Sequence, residues 1–375
     1  MTGQGGCVPG SELAASLWWA VDPVLLQPVR GKVRLMSPNA RKRVLVSNDT
    51  AHLIIAAQDG IPKAPRASMR RWPERRYTSV TQGLADYGYL VDHAERREAP
   101  GPWRYWGPLA WAYHDNSTQP GIIDAGVSLD AEEESDRRPS PFRDLTHLPV
   151  LLLPRLSARS DRRFIEVLEA RRTHREFIAA AISAEELSDI LRYSFGPLRF
   201  ADAGALGVMQ LRAAASGGAR HETDACVYVF SVNGIRPGLY IYDNLRHGLV
   251  GIREGLLREE FFQLTFGQKF SRDAAFGVIT VALTQRMSWK YRSPGAYRVI
   301  LQNTGCVAQV FSMMCASLGL GASMTGAVRM EAARAALGLE SASELVTFAM
   351  CCGKPVLDPE GLPASVPAPS SPFNV

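Results

Sequence analysis

Short apolar runs and helical periodicity alternate through the C-terminal part of the chain. Three runs rich in β-branched or aromatic residues, Cys226–Val232, Phe276–Leu283 and Leu345–Cys351, predict buried strands. Apolar positions three and four residues apart predict a long amphipathic helix over about Ala296–Leu318, and Ser183 opens another helix with a capping box. Because helices and strands follow in this irregular order, the pattern predicts an α+β sandwich rather than a regular βαβ chain.

A smaller pattern occupies the first part of the chain. Lys32–Met36 and Arg43–Val46, joined by a Ser-Pro-Asn turn, predict a hairpin, and a short helix with capping oxygens follows at Asn48. This order suits a winged-helix-like or peptide-clamp-like module. We therefore expect four parts: an accessory module at 1–120, a linker at 121–145, the main domain at 146–355 and a tail rich in Pro and Ser at 356–375.

Composition narrows the class of protein. The 375 residues are 46% hydrophobic and 21% charged, as in globular proteins, and no apolar run approaches the roughly 20 residues that span a bilayer. The N-terminus has no secretory signal pattern, so we expect a cytoplasmic protein without a membrane partner. The 6 cysteines form no C-x-x-C pair and the 7 histidines show no ligand spacing, which predicts no metal site.

The positive charge of the chain is concentrated near its N-terminus. The net charge of +5 lies in residues 1–98, because basic and acidic residues balance in the remainder. Much of it falls in Lys63–Arg76 and in Arg41-Lys42-Arg43. This region could bind an acidic peptide, and a solvated basic face is the alternative; a nucleic acid is the less favoured partner.

Three segments of the main domain predict a cradle for an anionic cofactor, whereas the standard dinucleotide, ATP, hydrolase and zincin signatures do not occur. Arg171–Arg175 places three guanidinium groups within five residues, a concentration of charge that a phosphate would neutralise. Ala214–Ala219 and Gly319–Gly326 are runs of small residues that let a planar ligand approach the backbone. Taken singly, each segment could instead be a solvated helix end or an ordinary turn.

Together these segments carry a family resemblance. The Arg-Arg-Thr-x-Arg-x-Phe motif at Arg171–Phe177, Ser216-Gly217-Gly218, the Gly238–Tyr242 turn and the helix that runs into Gly319–Ala322 resemble the flavin-dependent nitroreductase superfamily. Within it they most resemble the SagB/McbC-type dehydrogenases, which oxidise azolines in ribosomal peptide natural products. The resemblance covers about Leu156–Pro355. It implies a nitroreductase-like α+β sandwich, noncovalently bound FMN and a homodimer with two composite sites.

The resemblance also implies roles for individual residues. Lys290-Tyr291, followed by Ala296-Tyr297-Arg298, matches the Lys-Tyr pair of the azoline dehydrogenases, which takes a proton while FMN accepts a hydride. The alternative is a surface lysine beside a packing tyrosine. The residues implied to bind FMN are Arg171, Arg172, Thr173, Arg175, Ser216, Gly217, Gly218, Gly321, Thr325, Gly326 and Lys354.

Two departures from the family pattern concern the flavin loop. Ala215 stands where the family usually has Pro, and Arg220-His221 stand where an aromatic residue and Pro are usual, so we expect a different environment for the ring. The leading hypothesis is an FMN-dependent dehydrogenase that converts thiazolines or oxazolines of a ribosomally made precursor peptide to azoles, in complex with a cyclodehydratase. The alternatives are an NAD(P)H-dependent nitroreductase or another flavin oxidoreductase, and a non-catalytic subunit that binds a peptide.

Overall fold

The chain divides into two compact units, Met1–Pro120 and Gly121–Val375. The division into accessory module, linker, main domain and tail stays a prediction, because most of the linker, the end of the tail and Arg66, Arg70 and Arg71 lie outside the described residues. The computed structural model describes residues 17–37, 39–64, 72–95, 103–118, 138–155, 161–204, 207–359, 361 and 363.

The first unit combines two small antiparallel sheets with helices. Strands β2, β3 and β4 form one sheet and β1 pairs with β5 and β6 in the other. The buried Tyr89 hydroxyl donates to the carbonyls of Leu35 and Lys42, which fixes the connection between β3 and β4. Its elements are β1 Leu17–Ala20, β2 Leu25–Val29, β3 Lys32–Met36, β4 Val44–Val46, α1 Asn48–Ala56, β5 Ile61–Pro62, α2 Glu74–Asp86, β6 Leu90–Val91, α3 Trp103–Trp106 and α4 Pro108–Thr118.

An antiparallel sheet of eight strands organises the second unit. Seven strands follow the order β15-β16-β14-β11-β12-β13-β7, and β8 pairs with the end of β16; β9 and β10 form a separate hairpin. The strands are β7 Leu151–Leu152, β8 Phe177–Ile178, β9 Arg199–Asp202, β10 Val208–Leu211, β11 Thr223–Val229, β12 Gly238–Asp243, β13 Gly248–Glu254, β14 Phe276–Leu283, β15 Gly321–Thr325 and β16 Glu344–Pro355.

Helices cover both faces of this sheet, and the central strands β11 and β14 are therefore buried along their whole length. Val227 and Val229 point into one core with α6 and α9, whereas Cys226 and Tyr228 point into a second core with α7 and α10, as the two-residue period of a strand requires. The helices are α5 Phe164–Ala170, α6 Ala184–Phe195, α7 Arg258–Leu264, α8 Thr284–Ser288, α9 Gly295–Ser317 and α10 Met330–Ala336.

The long helix α9 supplies much of the first core. Val307, Phe311 and Cys315 lie on its buried side, at helical spacing. In the described part of the chain α9 alone has the length and apolar composition that could cross a membrane, and half of that stretch is buried inside the unit. Its apolar face is therefore accounted for by packing against the sheet and α6.

The predicted α+β sandwich is confirmed. Each of the three predicted strands is present, as β11, β14 and β16, and Ser183 forms the predicted capping box with Glu186 at the start of α6. Strand β16 is longer than its apolar run, because it continues through Gly353 and Lys354 to pair with β8. This extension places Lys354 opposite Ile178, which follows the Arg171–Arg175 segment by three residues.

Candidate functional site

The Arg171–Arg175 segment follows α5 and lies along the first residues of β15. Thr173 forms a bridge with Ala322, and the His174 amide donates to the Ala322 carbonyl at 2.8 Å. Gly321 makes this approach feasible, because a Cβ on it would lie 2.8 Å from the His174 ring carbon Cγ. We call the group Arg171, Arg172, Thr173, His174, Arg175, Gly321 and Lys354 the cationic cradle.

Most of the positive charge in the cationic cradle is not neutralised by the protein. Among the described residues, no carboxylate lies within ion-pair distance of Arg171, Arg175 or Lys354. Arg172 differs, because its guanidinium donates to the carbonyls of Glu169 and Arg171 and so caps the C-terminus of α5. The donor set that remains suits an anion with several oxygens, such as a phosphate.

His174 is a residue of the cationic cradle that sequence reasoning missed. It is the buried member of the motif, at 7% exposure, and its Nδ1 has no hydrogen-bond partner among the residues that the structure describes. Burial, and to a smaller extent the charge of Arg171, lowers the pKa of His174, so the ring is neutral at neutral pH. The small size of Gly321 could have indicated that another segment approaches it closely. However, His174 and Gly321 are more than a hundred residues apart in sequence, so the pattern could not identify them as partners.

Thr325 and Gly326 lie away from the cationic cradle, at the other end of β15. Four residues of strand separate Gly321 from Thr325, which corresponds to roughly 13 Å. The Thr325 hydroxyl accepts hydrogen bonds from Gln268 Nε2 at 3.2 Å and from the Ala327 amide at 3.0 Å. Gly326 is exposed, and a Cβ there would meet only the Phe348 ring, at 3.5 Å. Its backbone is therefore accessible to a flat ligand.

Ser216, Gly217 and Gly218 form a tight turn that leads to β11. Gly218 has φ of +60°, and a Cβ on it would collide with the Tyr291 hydroxyl, so only glycine allows this approach. A Cβ on Gly217 would lie 2.7 Å from Val299 Cγ1. The turn is therefore pressed against the residues around α8 and the first turns of α9.

A buried polar pair holds this turn, and sequence reasoning missed it too. Asn303 of α9 accepts from the Gly217 amide at 3.0 Å, while its Nδ2 donates to Glu222 at 2.9 Å. Glu222 is fully buried, and burial raises the pKa of its carboxyl. A polar residue on the apolar side of the α9 pattern was the available signal, but its partners could not be read from the pattern.

Lys290 and Tyr291 lie just after α8, next to the same turn. Both side chains are half-buried, and the Lys290 ammonium is 5.4 Å from the centre of the Tyr291 ring. Arg220 donates to the Gly218 carbonyl at 2.9 Å and lies over the Trp289 ring at 5.6 Å. The group Ser216, Gly217, Gly218, Arg220, Glu222, Lys290, Tyr291 and Asn303 is called the glycine-turn group below.

The two groups lie at opposite ends of the sheet in one chain. Phe276 pairs with Cys352 at the cradle end of β14, and Leu283 pairs with Glu344 at the end that continues into α8. Seven residue steps along β14 correspond to roughly 23 Å. The structure thus brings Arg171, Arg172, Thr173, Arg175, Gly321 and Lys354 together, and separately Ser216, Gly217, Gly218, Lys290 and Tyr291. In the described part of the chain, no group of three His, Cys, Asp or Glu residues could hold a metal ion.

Comparisons with known proteins agree on one family. A model described as the nitroreductase family matches residues 168–354. The protein named "Putative nitroreductase MJ1384" from Methanocaldococcus jannaschii is 31% identical over 162 residues, which cover 43% of this chain and 77% of that protein.

Two solved structures show a more distant likeness. A "putative nitroreductase" from Ralstonia eutropha JMP134 is 24% identical with a TM-score of 0.47, over 59% of this chain and 95% of that chain. The Escherichia coli microcin synthetase McbBCD complex with truncated pro-MccB17 bound has a chain that is 18% identical with a TM-score of 0.41, over 60% of this chain and 87% of that chain.

Proposed function

The chain belongs to the nitroreductase family, whose members are flavin oxidoreductases that typically use FMN, and we propose that it is an FMN-dependent azoline dehydrogenase. Its substrate would be a thiazoline or oxazoline ring in a ribosomally made precursor peptide, and its product the corresponding thiazole or oxazole. A cyclodehydratase, which forms such rings, is the partner that this substrate implies. This assignment corresponds to the SagB/McbC-type branch of the family.

The cationic cradle is the proposed site of the FMN phosphate. Arg171, Arg175 and Lys354 carry charges that no described carboxylate neutralises, and a phosphate would offset them. Thr173 adds a hydroxyl donor between the two arginines. Arg172 acts here as a helix cap, which supports a smaller role for it than the motif suggests. Gly326, which is exposed, offers open backbone of the kind that a flat ring system needs.

Conversion of an azoline to an azole removes two hydrogens from adjacent ring atoms. When bound, FMN supplies the acceptor for one of them, which leaves as hydride with two electrons, and molecular oxygen is the proposed terminal oxidant. The other hydrogen leaves as a proton from the ring carbon. In this proposal Lys290 receives that proton, and Tyr291 orients the lysine or relays the proton.

One observation carries the proposal: Tyr291 touches the glycine turn. The Tyr291 hydroxyl fills the space that a Cβ of Gly218 would need, and the Lys290 ammonium stays next to the Tyr291 ring. A Lys-Tyr pair on an ordinary surface would not require a glycine with positive φ in a distant segment. The arrangement supports a base held against the place where the flavin ring would lie.

The separation of the two groups supports a composite site. Because the cationic cradle and the glycine-turn group lie roughly 23 Å apart along one sheet, each FMN is proposed to take its phosphate site from one protomer and its ring-side residues from the other. A two-fold homodimer would then have two equivalent sites. This arrangement is part of the proposal.

The likeness to the M. jannaschii protein favours a second candidate function in the same class, a nitroreductase that draws electrons from NAD(P)H. The experiment that separates them uses the FMN-loaded protein, a synthetic thiazoline peptide under air, and in parallel NADPH with a nitroarene. Loss of two hydrogens from the peptide, detected by mass spectrometry, supports the dehydrogenase. Rapid NADPH oxidation with nitroarene reduction and an unchanged peptide would support the second candidate.

A further inference from the structure

A cavity of about 410 Å³ opens between α8 and the start of α9. Tyr291 forms one of its walls. The other walls that matter here are Met287, Arg292, Ala296, Tyr297 and Ile300.

We propose that this cavity binds an aromatic side chain of the peptide substrate, next to the ring that is oxidised. The proposal rests on the proposed function, since it places the reacting ring at Lys290 and Tyr291. It goes further by naming a residue class that the enzyme prefers beside that ring. The cavity would therefore determine which azolines of a precursor are oxidised.

The position of Tyr291 joins the cavity to the reaction. Its hydroxyl lies against Gly218 of the glycine turn, while its ring forms part of the cavity wall. In the substrate peptide, the residues that flank a ring reacting at Lys290-Tyr291 are joined to that ring by one or two bonds. One of these side chains can therefore enter the cavity without a change in the position of the reacting ring.

The chemistry of the walls selects an aromatic occupant. Met287 and Ile300 are buried, and a methionine thioether and tyrosine rings make favourable contacts with aromatic rings. A basic side chain would lose the hydration of its charged group in this cavity. An acidic side chain would lose hydration against the apolar walls. Apolar surface and ring contacts together favour phenylalanine, tyrosine or tryptophan.

The size of the cavity fits this occupant. Ligand pockets generally measure about 300 to 1,000 Å³, and this one lies within that range. Its volume is larger than that of a single aromatic side chain. Space remains for part of the adjoining peptide.

The test uses thiazoline tripeptides with Phe, Leu, Gly or Lys on either side of the ring, given to the FMN-loaded protein. We expect kcat/KM for the better-placed Phe peptide to exceed that for Gly by about 10- to 100-fold, with Lys the poorest substrate. Equal values for Phe and Gly, or a preference for Lys, would overturn the proposal. Binding of the matching thiazole product peptides, measured by calorimetry, should follow the same order.

Variants locate the preference in the cavity. Ala296→Phe fills the cavity from α9 and should remove the advantage of Phe over Gly while flavin stays bound. Gly305→Ala, on the same helix, is the control and should keep the advantage of Phe over Gly. A Cβ at Gly305 would meet no described atom within 4 Å. Ile300→Ala enlarges the cavity instead and should shift the preference towards Trp. If Ala296→Phe and Ile300→Ala both keep the original order, the cavity does not bind the side chain.

The design separates this proposal from the proposed function. If FMN is bound but no thiazoline peptide loses two hydrogens, the dehydrogenase assignment fails. The affinities of the thiazole peptides, measured by calorimetry, still test whether the cavity binds the side chain. Tighter binding of the Phe peptide than of the Gly peptide in the wild type, with equal binding in Ala296→Phe, supports the proposal. Equal binding of the two peptides in both proteins contradicts it.

Discussion

The two ends of the central sheet hold functional groups of different construction. The cationic cradle is mostly one local motif, and Arg171, Arg175 and Lys354 have no carboxylate partner among the described residues. The glycine-turn group is assembled from distant segments, and its polar atoms are bonded to one another inside the protein. The cationic cradle is therefore suited to bind an anion through its charge, whereas the glycine-turn group is held rigid by internal hydrogen bonds. We expect loss of binding from changes at the first and loss of chemistry from most changes at the second.

Lys290→Ala should have the largest effect and should affect chemistry alone. Loss of the proton acceptor should lower ring oxidation by about 10² to 10⁴, while the ratio of flavin to protein absorbance stays that of the wild type. Tyr291→Phe keeps the ring and removes the hydroxyl, so it should lose less if Tyr291 only orients the lysine. Full ring oxidation in Lys290→Ala with flavin bound would show that Lys290 is not the proton acceptor.

Arg171→Ala should weaken binding at the other end of the sheet. Removal of a charge-assisted contact to a phosphate should raise the Kd of FMN by about 10- to 100-fold, and excess FMN should restore most of the activity. Arg172→Ala is the matched control, because that guanidinium already caps α5, and its effect on the Kd should be clearly smaller. Similar losses in both variants would remove the distinction between the two arginines.

Asn303→Ala tests the support of the glycine turn. It removes the acceptor of the Gly217 amide and one of the donors to the buried Glu222 carboxyl, so the free energy of unfolding should fall by about 1 to 3 kcal/mol. Urea unfolding measures this change, and Gln302→Ala, an exposed neighbour on α9, is the control. Unchanged stability in Asn303→Ala would show that the turn is held by other contacts.

Acid should lower the free energy of unfolding through protonation of His221, which follows the glycine turn. Burial, helped by Arg212, lowers the pKa of His221 from 6.5 to about 3, so the unfolded chain binds a proton that the folded protein rejects. This contribution to stability is complete above pH 6.5 and is lost as the pH falls towards 3. Between pH 7 and pH 5.5 the loss of stability amounts to about 1.3 kcal/mol.

The comparison protein for this effect is His221→Gln, with unfolding measured at both pH values. Its free energy of unfolding should fall less on acidification than that of the wild type, by about the same 1.3 kcal/mol. His174 at the other end also has a lowered pKa, so the remaining acid sensitivity should be reduced further in the double variant. Identical pH dependence in the wild type and His221→Gln would contradict the burial argument.

The sequence predicted those parts of the fold whose signal is local. β11, β14 and α9 could be predicted because each is a continuous apolar run or a clear helical stripe. The β9–β10 hairpin could not, since Arg199–Asp202 is mixed in polarity and lies outside the main sheet. The extension of β16 to Lys354 depends on pairing with β8, and no local pattern indicates it.

The site divides in the same way. The arginines, the glycines and Lys290-Tyr291 could be named from motifs, because those residue types stand out at short spacing. His174 and Asn303 could not, since their importance comes from burial and from partners at Ala322 and Gly217 that are far away in sequence. That the two groups of residues lie at opposite ends of one sheet follows only from strand register.

The central claim is that each site combines the cationic cradle of one protomer with the glycine-turn group of the other. Arg171→Ala and Lys290→Ala chains, each poorly active alone at limiting FMN, can be mixed, unfolded and refolded together. In a mixed dimer the composite arrangement leaves one site intact, so azoline oxidation should return to about a quarter of the wild-type rate. If both groups of one chain serve the same FMN, no mixed dimer has an intact site, and activity that stays at the level of the separate variants would contradict the claim.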